Sequence, residues 1–350
     1  MTLRRSGARP VRRTTIVAGI GQSDGASVSD ESATEALHIR IGGRQFAFTA
    51  RNPLKVLFGD ALELLGRLPL ITLHSRYIAP RSLHLETVRV GLPTVTSDLA
   101  GLRVGFITDI HHEPGRPIAL LERAVRLLRE ESPDLILLGG DYVNSMARDF
   151  DRPLAVLAKL RAPLGVYGVL GNHDYWAGGD YLAARLASIG VTMLRNEARR
   201  LHAPGGAPFW LVGVDSAVRR HDDLEGAVAP IPADEFRLLL AHEPDVADMV
   251  TRRNLRVDLQ LSGHSHGGQV VLPRIGAPML PRLGRRYIRG LYTAPPLYTS
   301  RGLGAVPPYL RFNSPPEVTV ITLAQPENLP LGRSEAIPAY AITEVQETVG

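Results

Sequence analysis

The chain has 350 residues, 44% of them hydrophobic, which is enough to bury the core of one large domain with an appendage. It contains no cysteine, which excludes disulfides and thiolate ligands, so any bound metal must be held by nitrogen and oxygen atoms. The net charge of +5 comes from five arginines among the first thirteen residues, and the neutral remainder does not indicate nucleic-acid binding.

The first 36 residues are expected to form a basic arm and a flexible linker. Arg12 and Arg13 precede an apolar stretch, residues 14–20. This stretch is too short, and too soon interrupted by polar residues, for the hydrophobic region of a signal peptide. Export through these arginines is therefore not expected. Residues 21–36 are small, polar and acidic, which is typical of linkers.

Residues 37–98 are expected to form an N-terminal appendage. Alternating apolar and polar residues around Gly42-Gly43 predict a β-hairpin over residues 38–49. Apolar residues at helical spacing predict an amphipathic helix over residues 54–68. Charged residues such as Lys55 and Asp60 interrupt this helix, so it cannot span a membrane. Packing on its own domain and lying at a membrane interface both remain open for it.

Residues 99–325 alternate between apolar strands and helices, which predicts an α/β domain, and residues 326–350 are expected to form a tail. Helices are predicted over residues 118–131 and 181–189. The predicted strands cover residues 104–107, 135–138, 166–170, 210–214, 237–241, 257–261 and 318–323. Polar segments with metal-binding residue types directly follow five of these strands, at the position where open α/β sheets carry their sites.

These segments supply carboxylates, imidazoles and one amide, a mixture that suits two divalent cations and hence phosphoester hydrolysis. Asp141 is the expected bridging carboxylate, because the glycines before it allow a sharp turn at the strand end. Asn172 can offer its carbonyl oxygen to an ion. The segments are, in chain order, Asp109-x-His111, Gly140-Asp141, Gly171-Asn172-His173-Asp174, His242 and Gly263-His264-Ser265-His266.

This ordered set resembles the calcineurin-like metallophosphoesterase superfamily over residues 102–323. The resemblance implies a four-layer αββα sandwich with a dinuclear metal site at the strand ends. It implies a first metal bound by Asp109, His111, Asp141 and His266, and a second bound by Asp141, Asn172, His242 and His264. Manganese, iron and zinc all accept these ligands. A hydroxide between the two ions would attack phosphorus in line, and His173 would protonate the leaving oxygen.

The chain departs from the phosphoprotein-phosphatase branch of this superfamily. That branch has an aspartate and an arginine where this chain has Asn144 and Ser145. His173 therefore lacks that carboxylate partner, and whether Asp174 replaces it stays open. The difference argues against a protein phosphatase. The run Gly263–Gln269 and residues 298–304 and 311–317 instead resemble the YaeI/YkuE-like group of bacterial phosphodiesterases.

The same resemblance implies a phosphodiester or pyrophosphate substrate. Related enzymes hydrolyse a UDP-diacylglucosamine lipid precursor, so a lipid pyrophosphatase at the membrane surface is one alternative, and a non-catalytic metal-binding scaffold is another. Arg301 and Arg311 either bind substrate phosphate or form salt bridges within loops. His112 is predicted to touch substrate at the rim. We expect a cytoplasmic protein, with peripheral membrane contact as the alternative.

Overall fold

The computed structural model of the chain describes residues 11–19, 36–41, 44–49, 82–144 and 149–328. The predicted helix over residues 54–68 and the tail beyond residue 328 lie outside these ranges. No helix within them is both long and apolar enough to cross a membrane. The strands are β1 Arg12–Gly19, β2 Ala36–Ile41, β3 Arg44–Thr49, β4 His84–Gly91, β5 Arg103–Ile107, β6 Leu135–Leu138, β7 Val166–Gly168, β8 Val191–Met193, β9 Glu197–His202, β10 Pro208–Val214, β11 Phe236–Ala241, β12 Leu259–Ser262, β13 Gly290–Thr293, β14 Pro296–Thr299 and β15 Glu317–Ala324.

Within the described ranges, six α-helices connect these strands: α1 Ala119–Glu131, α2 Asp151–Leu157, α3 Asn172–Trp176, α4 Gly179–Ala187, α5 Leu224–Val228 and α6 Val246–Arg252. Short 3-10 turns cover His266–Gly268 and Pro326–Asn328. Helix α1 illustrates how local sequence sets the boundaries. Its buried face carries Leu121, Val125 and Leu128 at helical spacing. The helix ends at Glu131, because the next residue, Ser132, has a left-handed backbone and precedes a proline.

The strands form two mixed sheets and one hairpin. The first sheet has the order β1-β4-β15-β5-β6-β7-β8, and the second has the order β13-β14-β12-β11-β10-β9. Neighbouring strands are parallel except at β15–β5 in the first sheet and at β10–β9 and β13–β14 in the second. Strands β2 and β3 pair antiparallel, which confirms the predicted hairpin.

Strand β6 shows why the domain has four layers. Leu135 and Leu137 face a core shared with residues of the second sheet, such as Leu238. Ile136 and Leu138 face the other core, which includes the buried residues of α1, α2 and α4. Alternate residues of a strand point to opposite faces, so an unbroken apolar run indicates burial on both sides. Helices α5 and α6 cover the outer face of the second sheet, which completes the αββα sandwich.

The N-terminal region differs from its predicted organisation. Residues 12–19 are not part of a flexible arm, because β1 pairs in parallel with β4 along its whole length. The side chain of Arg13 forms an ion pair with Glu131 at 3.1 Å. Strand β4 in turn pairs with β15, so residues 84–91 belong to the first sheet rather than to an appendage. Within the catalytic region, the strand predicted over residues 166–170 ends at Gly168, and the helix predicted over residues 181–189 is α4.

Candidate metal centre

The seven predicted metal ligands come together where strands of the two sheets end. Five loop regions contribute them, and all seven residues are buried. From the first sheet, Asp109 and His111 follow β5, Asp141 follows β6, and Asn172 begins α3 after β7. From the second sheet, His242 follows β11, and His264 and His266 follow β12. The arrangement confirms that strand ends gather these residue types at one edge of the sandwich.

Two groups of nitrogen and oxygen atoms could each hold a cation. One group comprises Asp109, His111 and His266, and the other comprises Asp141, His242 and His264; the candidate ligand atoms within each group lie within 4.8 Å of one another. In the first group, His266 Nε2 is 2.9 Å from His111 Nε2 and 3.4 Å from Asp109 Oδ1. Imidazole nitrogens and carboxylate oxygens are ligands for zinc, iron and manganese alike.

Asp141 lies between the two groups. Its Oδ2 atom is 3.4 Å from His111 Nε2 and 3.1 Å from His242 Nε2. Its Oδ1 atom accepts a hydrogen bond from the backbone N–H of His173 at 2.9 Å. Burial alone would raise the pKa of Asp141, but the imidazoles of His242 and His173 hold that pKa well below the usual range. The carboxylate is therefore ionised and placed to bridge two cations.

The imidazole rings of the second group are oriented by main-chain carbonyls. His242 Nδ1 donates to the carbonyl of Gly139 at 2.7 Å, and His264 Nε2 donates to that of Arg282 at 2.7 Å. The remaining nitrogens, His242 Nε2 and His264 Nδ1, lie 3.2 Å apart and are the atoms that can bind a cation when both rings are neutral. Such outer hydrogen bonds fix the tautomer of metal-binding histidines.

A buried oxygen atom without a hydrogen-bond partner also suggests a metal ligand. Asn172 Oδ1 is buried and has no hydrogen-bond partner. A buried amide oxygen without a partner is costly unless a cation or another group satisfies it. Its position at the start of α3, directly after the strand that follows Asp141, agrees with its predicted role. The donor set and the orphaned oxygen thus suit divalent cations.

The backbone at this site is strained, because five of the predicted ligands have positive φ angles. The values run from 45° to 68°, in a region that residues other than glycine rarely adopt. Such strained residues cluster at functional sites. The five residues are Asp109 (φ 54°), His111 (φ 45°), Asp141 (φ 52°), His264 (φ 68°) and His266 (φ 53°).

Motif glycines leave room for the two carboxylates. A Cβ atom at Gly171 would overlap Asp141 Oδ1, and one at Gly263 would overlap Asp109 Oδ2. A Cβ atom at Gly302 would lie 2.6 Å from the Cβ atom of Asp109. Gly302 belongs to the downstream run 298–304, which resembles the YaeI/YkuE-like group. The close approach to Asp109 explains why a glycine occupies this position.

The Asp174 carboxylate positions the loop that carries Asp141 and is hydrogen-bonded to backbone N–H groups. Its Oδ2 atom accepts the backbone N–H groups of Asp141 and Gly171, and its Oδ1 atom accepts that of Tyr142, all at 2.8 Å. Burial and then the charge of Asp141 raise the pKa of Asp174 to about 8, and the backbone N–H groups oppose that rise. This positioning role was not predicted, although the GNHD motif contains the residue.

His173 has a main-chain partner instead of a carboxylate. Its Nδ1 atom is 2.5 Å from the carbonyl oxygen of Asn144, the residue that replaces the aspartate of the protein-phosphatase branch. Nδ1 must donate in this bond, which leaves Nε2 as the second functional nitrogen of the ring. His173 also forms a group of potential ligands with His111 and Asp141. Burial lowers the pKa of His173 to about 4.

The contacts of Arg301 and Arg311 do not support phosphate binding. Arg301 is ion-paired with Glu86 and, at 3.0 Å, with Glu317. Arg311 is buried and donates to the main-chain carbonyls of Gly304, His266, Ser314 and Arg301, and its Nη2 atom is 3.4 Å from His266 Nδ1. Main-chain carbonyls thereby accept four of the five guanidinium N–H groups. Arg301 forms the predicted salt-bridge alternative, and Arg311 supports the loop of His266.

His112 is buried rather than placed at the rim. A β-bridge to Val143 holds its backbone between the two loops that carry Asp109 and Asp141. It lines a small cavity of about 100 Å³, which His111 and Arg311 also border. It is absent from the lining of the larger cavity described next, so the predicted substrate contact is not supported.

A cavity of about 550 Å³ opens directly on the metal-binding groups, and Asp141, Asn172, His173, His264 and His266 form its floor. Its walls include three arginines, Arg219, Arg282 and Arg285, and apolar residues such as Met279, Leu280 and Val306. Among the described residues that line it, Asp141 is the only carboxylate. The site is thus suited to an anionic ligand with groups larger than a phosphate.

Glu243 is a further positioning residue that was not predicted. It follows His242 and is fully buried. Its carboxylate accepts the hydroxyl of Ser216 and the backbone N–H groups of Ala217, at 3.1 Å, and Val218, at 3.2 Å. This fixes the loop that carries Arg219 to the end of β11. No sequence motif marks the residue.

Comparison with known proteins agrees with this geometry. Residues 102–268 match the family model for calcineurin-like phosphoesterases. The chain is 36% identical over 248 residues to phosphodiesterase YaeI of Escherichia coli (strain K12), covering 68% of this chain and 88% of that protein. It is 31% identical over 255 residues to the uncharacterised metallophosphoesterase YkuE of Bacillus subtilis (strain 168), covering 71% of this chain and 88% of that protein.

A transmembrane protein with a metallophosphoesterase domain from Bos taurus is 30% identical over 255 residues, which cover 68% of this chain and 56% of that protein. The match to YaeI extends across most of that protein's length. The chain therefore belongs to the calcineurin-like phosphoesterase family and is a metal-dependent phosphoester hydrolase.

Proposed function

We propose that the chain hydrolyses phosphodiester or pyrophosphate bonds with two divalent cations, of manganese, iron or zinc. Asp109, His111 and His266 would hold the first ion, Asn172, His242 and His264 would hold the second, and Asp141 would bridge them. The observation that carries this proposal is the position of Asp141 Oδ2, 3.4 Å from His111 Nε2 and 3.1 Å from His242 Nε2. When bound, two such ions lower the pKa of water and neutralise charge on the phosphoryl oxygens.

The chain's own residues would complete the reaction around that pair. We assign the proton donor for the leaving oxygen to His173, because its ring lies at the cavity floor and the Asn144 carbonyl fixes its Nδ1–H. With Nδ1 held in this way, Nε2 is the nitrogen that faces substrate. Because burial lowers the pKa of His173 to about 4, the ring would carry the proton that it donates only when the negative charge of a bound substrate raises that pKa. The positive charge of Arg219, Arg282 and Arg285 favours a substrate with anionic groups beyond the scissile phosphate.

A diester fits the cavity better than a small monoester. A volume of about 550 Å³ is in the range of sites that enclose a ligand of drug size. The apolar wall, with Met279 and Leu280, favours a substrate whose ester group is partly apolar, and this supports the alternative of a lipid-linked pyrophosphate at a membrane surface. The bovine relative, which is named a transmembrane protein, agrees with that alternative.

The test is metal-dependent turnover of bis-p-nitrophenyl phosphate and p-nitrophenyl phosphate by purified protein whose metal content is measured by mass spectrometry. We expect two ions per chain, and faster turnover of the diester. Asp141→Asn should abolish turnover, and His173→Ala should lower it about 100-fold or more. Exposed residues of the same types provide matched controls, Asp234→Asn and His202→Ala, which should leave turnover unchanged.

Each outcome has a distinct meaning. Preference for the monoester would contradict the diesterase proposal and favour a phosphatase. Two bound ions without turnover of either substrate would instead favour the scaffold alternative. Equal turnover by His173→Ala and wild type would exclude His173 as the proton donor and leave the metal site intact.

A further inference from the structure

An exposed tryptophan borders the cavity next to the proposed proton donor. Trp176, the last residue of α3, is 53% exposed. Its ring centroid lies 4.4 Å from that of His173, in an edge-to-face arrangement. The guanidinium of Arg219 lies 6.0 Å from the Trp176 ring centroid. Both residues line the same cavity as Asp141. A large apolar ring exposed at this place contributes little to the core.

The two segments that carry these residues are held firmly in place. Asp174 ties α3 to the Asp141 loop, and Glu243 ties the Arg219 loop to the end of β11. The segments also contact each other, because Tyr175 stacks on His221 with ring centroids 4.3 Å apart and an interplanar angle of 12°. The positions of the Trp176 and Arg219 backbones are thus fixed before any ligand arrives, which reduces the entropy cost of binding.

The distance between the Trp176 ring and the Arg219 guanidinium is nearly large enough for a planar ring to lie between them. A flat group between the indole and the guanidinium needs two van der Waals distances of about 3.5 Å, or about 7 Å in total. The observed separation is 6.0 Å, so a shift of about 1 Å by the exposed Arg219 side chain would admit a ring. Both an indole face and a guanidinium plane stack favourably on aromatic rings.

We infer that Trp176 and Arg219 form a subsite for a planar aromatic ester group of the phosphoester substrate, such as a nucleobase or an aryl ring. The inference deepens the proposed function and rests on it, because the subsite is useful only beside the hydrolytic centre. It differs from the lipid alternative, in which a saturated chain would lie along the cavity wall. It also differs from a purely structural role, in which Trp176 would only steady the His173 ring.

The test compares two phosphonates of equal charge and similar size, phenylphosphonate and cyclohexylphosphonate, on metal-loaded full-length protein. The chain has two tryptophans, so in a Trp210→Phe background the emission of Trp176 reports binding without any turnover. We expect phenylphosphonate to bind about fivefold to tenfold more tightly and to quench this emission. By competition with diester hydrolysis, Trp176→Ala should lose the preference and Trp176→Phe should keep most of it.

Tyr181 offers a matched control. It is 50% exposed, and the guanidinium of Arg185 lies 5.7 Å from its ring centroid, but it is not among the residues that line the cavity. Tyr181→Ala should therefore keep the wild-type preference.

Equal binding of the two phosphonates, or a preference that survives Trp176→Ala, would overturn the subsite. An equal fall in kcat for all diesters in Trp176→Ala, with unchanged affinities, would also overturn the subsite. That result would assign Trp176 to positioning His173. The proposed function fails separately: phenylphosphonate preference without hydrolysis of any diester would support the subsite and contradict the hydrolase.

Discussion

Asp174→Asn should destabilise the protein and weaken its metal binding, although Asp174 is not a predicted ligand. Oδ2 accepts the N–H groups of Asp141 and Gly171 at 2.8 Å, and Oδ1 accepts those of Tyr142 at 2.8 Å and Val143 at 3.4 Å. An asparagine keeps one oxygen and turns an NH2 group toward the other pair of donors. Two buried N–H groups would lose their acceptor, at about 1–3 kcal/mol each before relaxation. Removing a buried carboxyl whose pKa is raised offsets part of this loss, so we expect the free energy of unfolding to fall by about 1–3 kcal/mol.

The assay is urea unfolding of the metal-free protein, followed by metal titration of the folded variant. Since the lost bonds position Asp141, metal affinity should fall about 10-fold to 100-fold. Asp180→Asn is the matched control: its side chain is 87% exposed and ion-paired with Arg195, and its loss should cost less than about 1 kcal/mol. An Asp174→Asn protein that unfolds within about 0.5 kcal/mol of wild type would refute the reasoning.

Three further predictions concern groups around the site and in the first sheet. The Arg311 guanidinium donates to four carbonyls, and the ammonium group in Arg311→Lys has only three N–H donors. Thermal unfolding should therefore show a loss of about 2 kcal/mol in the free energy of unfolding, and an unchanged melting temperature would contradict this. Gly263→Ala places a Cβ atom against Asp109 and should weaken metal binding about tenfold in a metal titration, whereas Gly115→Ala, with nothing within 4 Å, should not. Burial and nearby guanidinium groups lower the pKa of His84 from 6.5 to about 4. The unfolded chain therefore binds more protons between these values, and stability is lost as pH falls from 6.5 toward 4. Urea unfolding at pH 7 and pH 5 should show this loss, about 1 kcal/mol after allowance for solvent screening, and His84→Gln should reduce it; equal pH dependence in both proteins would exclude His84.

The candidate site could be predicted from the sequence because its chemistry is local. Each ligand follows a short apolar strand, and the motif glycines lie beside the carboxylates they accommodate. The α/β class could be predicted for a similar reason, since runs such as Leu135–Leu138 are apolar on both faces. The αββα layering was predicted only from the family resemblance. The remaining site residues act through main-chain atoms. Arg311 donates to the carbonyl of His266, 45 residues away, and Asp174 accepts the N–H of Asp141, 33 residues away. No residue spacing predicts such contacts.

The N-terminal strands could not be predicted for a different physical reason. Strand β1 has arginines at its start and alternating exposure, which locally resembles a polar arm. It forms a strand by pairing with the edge of β4. Strand β4 in turn pairs with β15, near the other end of the chain. Strand formation by such pairing is set by tertiary contacts more than by intrinsic preference.

The strand order of the first sheet also governs how the protein can assemble during synthesis. Strands β5 to β8 are consecutive neighbours and can pair as they leave the ribosome, whereas β15 must enter between β4 and β5. At ordinary translation rates the interval between the end of β4 and the start of β15 is roughly 10 to 45 seconds. Throughout that time the facing edges of β4 and β5 lack a partner from this sheet. A nascent or stalled chain thus presents two open strand edges, and chaperones or rapid late docking of β15 must protect them from aggregation.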